Sequence, residues 1–453
     1  MNEKRMNASI IEGNLLYALT RYFVPIFLGT LLQQSYQTID AIIIGQFAGR
    51  NALAAIDSTG GFINLLIRIS VGISSGASVA LAQYYGAKDQ EKLSKAAHTT
   101  LCFMAFLGII VTAIGMLATP WICRVMNVPN DILEYAVTYT KIYFSGALFI
   151  LLYNAGAGIM RSLGDTKRPF YFLSIGCVVN IILDLLLVAW AKMEIRGAAL
   201  ATVLSQGVSA LLTIGALFKP DSICRINVSC LKISALALKN ILSLGVPIAL
   251  QSASYSVSNI FMQSSINQFG TVAVAGWSVC GKLDFLLWTV VESLAITATT
   301  FVAQNYGAKQ IKRMFSSVNK ILLLAAGLLG GLSAIYYFGT EVLGYLFVSD
   351  GATVNMAVHM MHWIAPFYVT CIGGEILSAV IRGTGDTFKP MILNLLGTCA
   401  FRIVWILAIN NCCKSIFMVL MGYPLSWILA SLMFLVYYFS VKRHINREYP
   451  GCS

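Results

Sequence analysis

Charge is the scarcest feature of this sequence. Only 11% of its 453 residues are Asp, Glu, Lys or Arg, where a soluble domain carries about 25%, and the mean hydropathy is +0.76. A soluble globular domain is excluded, which leaves a polytopic membrane protein with little mass outside the bilayer. Histidine is nearly absent, at 4 residues. No His cluster, metal-ligand spacing or nucleophile motif occurs, so a membrane enzyme has nothing to rest on. No phosphate-binding Walker loop is present either. The 11 cysteines include no Cys-x-x-Cys pair and are scattered through apolar segments, where they read as small buried hydrophobes. The adjacent Cys412 and Cys413 are expected in an outer loop, placed where oxidation is conceivable. The N-terminus lacks a signal-peptide pattern and begins with a short polar run. The 31 Lys and Arg against 19 Asp and Glu give a net charge of +12. They do not cluster on one soluble face, so nucleic acid is not an expected partner.

What the chain has is long apolar runs. Twelve are expected to span a bilayer, at 20–45, 58–83, 95–118, 132–158, 170–191, 197–218, 240–266, 279–304, 317–338, 353–380, 391–410 and 416–440, because a spanning helix needs about 20 apolar residues. With both termini placed inside, 22 of the 31 Lys and Arg fall in inner segments and 6 in outer loops, leaving Arg68, Lys141 and Arg402 within spans. By the positive-inside rule both ends are expected to be cytoplasmic.

The chain also repeats. Ala82-Gln83-Tyr84-Tyr85-Gly86-Ala87-Lys88 returns as Ala303-Gln304-Asn305-Tyr306-Gly307-Ala308-Lys309. Arg161-Ser162-Leu163-Gly164-Asp165-Thr166-Lys167-Arg168-Pro169 returns as Arg382-Gly383-Thr384-Gly385-Asp386-Thr387-Phe388-Lys389-Pro390. Both pairs keep the same offset, and Val24-Pro25 recurs close to that register as Val246-Pro247. The expected architecture is all-α: twelve transmembrane helices in two six-helix repeats around a central cleft. The division is a lobe at 1–218, a basic linker at 219–239 and a second lobe at 240–453. Six is an even number, so the halves enter the membrane in the same orientation, related by an axis along its normal, as alternating-access carriers are built. A channel fits this symmetry less well. Gly86 and Gly307 are expected to end their helices in the left-handed conformation. Pro169 and Pro390 open the next spans, with Asp165 and Asp386 near arginines that suit ion pairing.

Polar residues inside spans carry the functional argument. A carboxylate at bilayer depth costs roughly 2.5–3.5 kcal/mol by insertion scales. Asp40 nevertheless sits in the first apolar run, with Gln33, Gln34, Tyr36 and Gln37 before it. Helical spacing puts Gln33, Tyr36, Gln37 and Asp40 on one face. Asn180 and Asp184 are four apart in the fifth span and share a face. The fourth span offers Lys141, Tyr143 and Asn154. The sixth offers Thr202, Ser205, Gln206 and Ser209. Helices one and five can both reach the interior of a six-helix half, bringing Asp40 and Asp184 into one pocket. Two carboxylates with Asn and Thr oxygens suit a proton or a hard cation such as Na⁺. Residues alone do not choose between them. The offset of the repeat carries Asp40 and Asp184 onto Phe261 and Trp405, so the acidic pair belongs to the first half only. The second half has Glu292, Glu375 and Arg402 inside spans, with Glu375 and Arg402 candidates for a buried ion pair. Gln251, Tyr255, Asn259 and Met262 give the seventh span a polar face. Lys282 and Asp284 are expected near the outer surface, and His98 at a membrane interface.

These features together resemble the multidrug and toxic compound extrusion (MATE) family over residues 15–440. The likeness lies in the twelve spans, the Gln-x-x-Gly-Ala-Lys helix ends and the Arg-x-x-Gly-Asp-x-x-(Lys/Arg)-Pro loops. Within it, Asp40, Asn180, Asp184 and Thr202 are similar to the first-lobe cation site of the DinF-type branch. The resemblance implies that these four residues couple H⁺ or Na⁺ entry to export, with no other cofactor, and that they would be the metal ligands if the ion is Na⁺. It implies a substrate cleft drawing on Gln33, Gln34, Tyr36, Gln37, Asn154, Ser205, Gln206, Gln251, Tyr255, Glu292 and Glu375. The NorM-type branch carries an acid in the seventh span, and none stands between Asn240 and Ile266. The implied protein is a monomeric antiporter of the bacterial cytoplasmic membrane, exporting small organic, cationic or aromatic compounds without ATP. The alternative is a flippase of lipids or lipid-linked oligosaccharides from the same superfamily.

Overall fold

The computed structural model describes residues 10–126, 128–220, 224–412 and 415–450. Among them the regular structure is helical. Eleven helices are long and apolar enough to cross a bilayer. The pair α4 (Asn130–Ser145) and α5 (Ala147–Ser162), bent by 44°, brings the number to twelve when taken as one broken span. The fourth span, expected continuous over 132–158, therefore breaks at Gly146, where a Cβ would lie 2.7 Å from the Val203 side chain. Leu117 and Phe338, each 82% exposed, and Leu323, 75% exposed, belong to the apolar outer surface that a bilayer would cover.

By contact the chain forms two units. Among the described residues, one holds Val24–Ala249; the other holds 10–23 with the chain from Leu250 onward. The divisions fall inside two helices, α1 (Leu15–Phe47) and α8 (Ala235–Asn267). The first unit contains α2 (Arg50–Gly86), α3 (Gln90–Val125), α4, α5, α6 (Lys167–Asp184, continued by a π-helical turn at Leu185–Trp190) and α7 (Glu194–Phe218). The stretch after α7 docks on α3. His98 is buried; it accepts from the Asn227 N–H at Nε2 (3.0 Å), and its Nδ1 lies 2.8 Å from the Ser94 carbonyl. The Ser234 N–H donates to Thr99 Oγ1 at 3.1 Å. Ile226 joins the apolar cluster of Leu81, Leu93, Ile159 and Leu217.

The second unit contains α9 (Thr271–Gly307), α10 (Ile311–Gly344) and α11 (Gly351–Ile364). A 3-10 turn at Ala365–Thr370 and a π-helical turn at Gly373–Leu377 lead into α12 (Ser378–Gly383). Then come α13 (Phe388–Asn394), a π-helical turn at Leu395–Ala400, α14 (Phe401–Cys412), α15 (Ile416–Leu420) and α16 (Gly422–Glu448). Tyr22 donates to Thr300 Oγ1 at 3.0 Å. Arg313 gathers the carbonyls of Ile10, Glu12 and Gly13 at 2.9, 3.0 and 2.9 Å. Arg313→Ala is expected to free residues 10–13. Hydrogen exchange of their amides checks this: rates should rise there and stay unchanged in α9.

The repeat is visible in the backbone. Positive φ recurs in the register of the sequence motifs, at Gly49 and Gly270, Lys88 and Lys309, and Gly164 and Gly385. The lysine pair corrects an expectation. Gly86 and Gly307 are the last helical residues, but the left-handed residues are Lys88 (φ 58°) and Lys309 (φ 57°). The hydrogen bonds show why. Lys88 N–H donates to the Tyr85 carbonyl and Asp89 N–H to that of Tyr84. Lys309 and Gln310 repeat this on Tyr306 and Asn305. This is a Schellman closure, which places the left-handed residue after the cap rather than at the end of the helix.

The loop aspartates differ between halves. Asp165 is buried, pairs with Arg168 Nε at 3.3 Å and accepts the Arg168 N–H. Burial pushes its carboxyl up, against the lowering by the backbone N–H groups of Arg168 and Lys167. Asp386 instead accepts from the Tyr437 hydroxyl at 2.5 Å and the Lys389 N–H at 3.3 Å. Its position in the repeat is kept, but its partner is a phenol. Cys413 lies outside the described residues, as does the side chain of Cys412.

Candidate functional site

In the first unit α1 and α6 bring two acids together. Asp184 ends α6 fully buried, and Asn180, one turn earlier, is 1% exposed. The Asp40 and Asp184 carboxyls lie within hydrogen-bonding reach of each other. Two ionised carboxylates offer only acceptors, so their contact becomes a hydrogen bond only when one holds a proton. Among the described residues, Asp40 Oδ1, both Asp184 oxygens, and Oδ1 and Nδ2 of Asn180 lack hydrogen-bond partners. Buried acceptors in that state are costly unless a positive charge joins them. A shared proton or a small hard cation supplies it.

Tyrosines close the site. Tyr36, one turn before Asp40, is buried near Gln206 of α7. Tyr139 of α4 lies near Asp40, Asp184, Tyr36 and Tyr143, with its ring 6.0 Å from that of Tyr143. Tyr139 escaped the sequence reading, though it stands four residues before Tyr143, on the same helical face. Thr202 is on α7, which packs along α6. Its hydroxyl donates to the Ala198 carbonyl at 3.1 Å, leaving only lone pairs to offer a cation.

Other expected residues fare unevenly. Gln33 and Gln34 are half-buried and Gln37 is exposed. The buried stripe runs through Tyr36, Ile43 and Ile44. Asn154 donates to its own helix, at the Ile150 carbonyl (2.9 Å), and Ser205 to the Thr202 carbonyl (2.9 Å). Both donors thus serve the helices that carry them. A π-helical turn begins directly after Asp184, a distortion frequent at functional sites.

The second unit has its own intramembrane charges. Arg402 is fully buried. Its Nε donates to Ser426 Oγ at 2.9 Å and its Nη1 to Asn259 Oδ1 at 3.1 Å. The Tyr255 and Tyr423 rings cover it, 5.1 and 4.6 Å from Cζ. The expected ion pair with Glu375 is absent among the described residues. The guanidinium is instead held by neutral oxygens and π faces, while Glu375, half-buried in a π-helical turn, is influenced by Arg382, Arg402 and Glu292. Gln251 accepts from Arg382 Nη1 at 3.4 Å, and Glu292 is exposed. Asp284, expected near the outer surface, is buried and accepts from the Tyr368 hydroxyl. Its partner comes from a distant part of the chain, beyond any local pattern.

Comparison with known proteins bears on the family and the fold. The MatE family model matches residues 25–186 and 247–407. A probable multidrug resistance protein, YoeA of Bacillus subtilis (strain 168), is 29% identical, with 95% of each chain covered. The multidrug export protein MepA of Staphylococcus aureus (strain NCTC 8325 / PS 47) is 23% identical, with 84% of each chain covered. Among solved structures, a MATE protein in complex with MaL6 superposes with a TM-score of 0.92 at 23% identity, covering 99% of this chain and 100% of that one.

Proposed function

This chain belongs to the MatE family, whose members are transporters, and from that premise we propose that it is a multidrug efflux antiporter driven by H⁺ or Na⁺. The names of its relatives support the export of drugs. The observation that carries the coupling is the unpartnered carboxylate pair of Asp40 and Asp184. An entering cation joins the two acids, neutralises their repulsion and draws α1 toward α6. Leaving, it restores the repulsion. The ion thus biases one arrangement of α1 over another, which is how a bound ligand shifts a two-state equilibrium. Asn180 and Thr202 add neutral oxygens that a cation requires and a proton does not. The substrates are organic, cationic or aromatic compounds. The protein acts as a monomer in the bacterial cytoplasmic membrane, with both termini inside, following the distribution of Lys and Arg.

The test is transport in vesicles. Purified protein is inserted into liposomes, and ethidium movement is followed under a pH gradient and, separately, a Na⁺ gradient. One of the two gradients is expected to drive ethidium uphill. Inserted protein that moves it under neither would refute the antiport reading.

A further inference from the structure

We propose that the second unit holds a subsite for an organic carboxylate, built on Arg402 and Trp427, so that aromatic acids and zwitterions are ligands of this protein. The inference takes its ligand size from the transport reading above, and its chemistry from the residues below.

The argument begins with what the repeat inverts. In the register that aligns the two halves, Thr202 becomes Tyr423, Ser205 becomes Ser426, Gln206 becomes Trp427 and Asp184 becomes Trp405. In the first unit this register holds acids whose acceptor atoms lack donors. The second unit has Arg402 three residues before Trp405, and two donors, Nη2 of Arg402 and Nε1 of Trp427, stand among its unpartnered buried atoms. Arg402 is fully buried and Trp427 is 5% exposed. A buried guanidinium with no carboxylate on it leaves both charge and hydrogen-bonding capacity unmet, and such groups are ordinarily paired. Its other nitrogens are fixed by Ser426 and Asn259, so the remaining amino group has a set direction.

The surroundings select the rest of the ligand. Tyr423 covers Arg402 and packs on Trp427 (6.1 Å) and Trp277 (5.3 Å, stacked). Trp288 packs on Tyr255 (6.5 Å) and Trp427 (6.0 Å). Tyr255, Trp277, Trp288 and Tyr423 are only half-buried, so the aromatic wall has an open side. Rings favour a planar aromatic body. The charged Nη2 donor of Arg402 favours a carboxylate, which guanidinium groups bind strongly, and Trp427 Nε1 is a second donor beside the Tyr423 ring that both side chains touch.

The experiment is calorimetric titration of the full chain in nanodiscs, without a gradient, using 2-naphthoate and the neutral 2-naphthamide of like shape. The wild type is expected to bind the naphthoate roughly 10- to 100-fold more tightly, the span for a hydrogen bond to a charged group. Arg402→Gln is expected to erase that preference while leaving the naphthamide affinity unchanged. Trp427→Phe keeps the ring and removes the N–H, and is expected to reduce the preference; it decides the matter alone if Arg402→Gln does not fold. Equal binding of the two compounds by the wild type overturns the subsite, as does an equal loss for both in the variants. Because no gradient is used, a wild type that exports ethidium but does not discriminate loses the subsite and keeps its coupling.

Discussion

Asp184→Asn is expected to insert, fold and bind substrate, and to lose uphill export altogether. In the wild type, Asp40 Oδ1 and both Asp184 oxygens are acceptors without donors among the described residues. An asparagine amide supplies an N–H where Asp184 had only lone pairs, so it can donate to Asp40 with no ion present. The variant therefore resembles the occupied state permanently. Removing a buried charge rarely harms stability, and replacing an unsatisfied one can improve it. Coupling is another matter. The ion drives the cycle only through its differential affinity for the two arrangements, and an amide leaves nothing for it to distinguish. Asp40→Asn is expected to act alike, since it contributes the other half of the same contact. If the two acids work as one unit, the double variant should be little worse than either single one. Efflux in drug-sensitive cells, at matched membrane expression, makes the measurement. Full gradient-driven efflux by either single variant would move the coupling site to Glu375 or Asp284, intramembrane acids of the second unit that are not exposed. Glu375→Gln is expected to be milder, because no ion pair to Arg402 is lost.

The acid pair was legible in the sequence because charge is so rare in it. A carboxylate in an apolar run stands out whatever the fold, and helical spacing already set Asn180 beside Asp184. The repeat was legible for a related reason: its turn motifs carry Gly, Asp, Lys and Pro against an apolar background, and the matched positive-φ positions show that the backbone follows them. What escaped depended on pairing across the chain. The partner of Asp284 is a tyrosine from beyond its own helix, which no local spacing joins to it. Opposite charges attract in low dielectric, which made a carboxylate the expected partner of Arg402; Ser426, Asn259 and two rings hold it instead.

Gly76→Ala is expected to be the most damaging single methyl in the first unit. On α2, Gly72 and Gly76 are four apart; on α8, so are Gly245 and Ala249. The two helices meet along these residues, backbone on backbone. A Cβ on Gly76 would lie 2.3 Å from the Gly245 Cα and N, and one on Gly72 2.5 Å from the Ala249 Cα. Small residues four apart are how membrane helices approach closely, gaining dispersion contacts that bulkier side chains forbid. A main-chain atom has no rotamer with which to escape, so the helices must separate. Overpacking typically costs about 1–3 kcal/mol, and this case belongs at the upper end because the strain spreads to the neighbouring contact of Val79 and Ala80 with Leu244. The first part of α8 packs with this unit, whereas its chain from Leu250 belongs to the other, so the contact anchors a helix shared by both. Gly215→Ala is the control. Gly215 is also helical, yet nothing lies within 4 Å of its Cβ position, and alanine there should stabilise by up to about 1 kcal/mol through helix propensity. Thermal unfolding of the purified proteins in one detergent is expected to move the two variants in opposite directions. Equal melting temperatures would show that α2 and α8 are not in backbone contact.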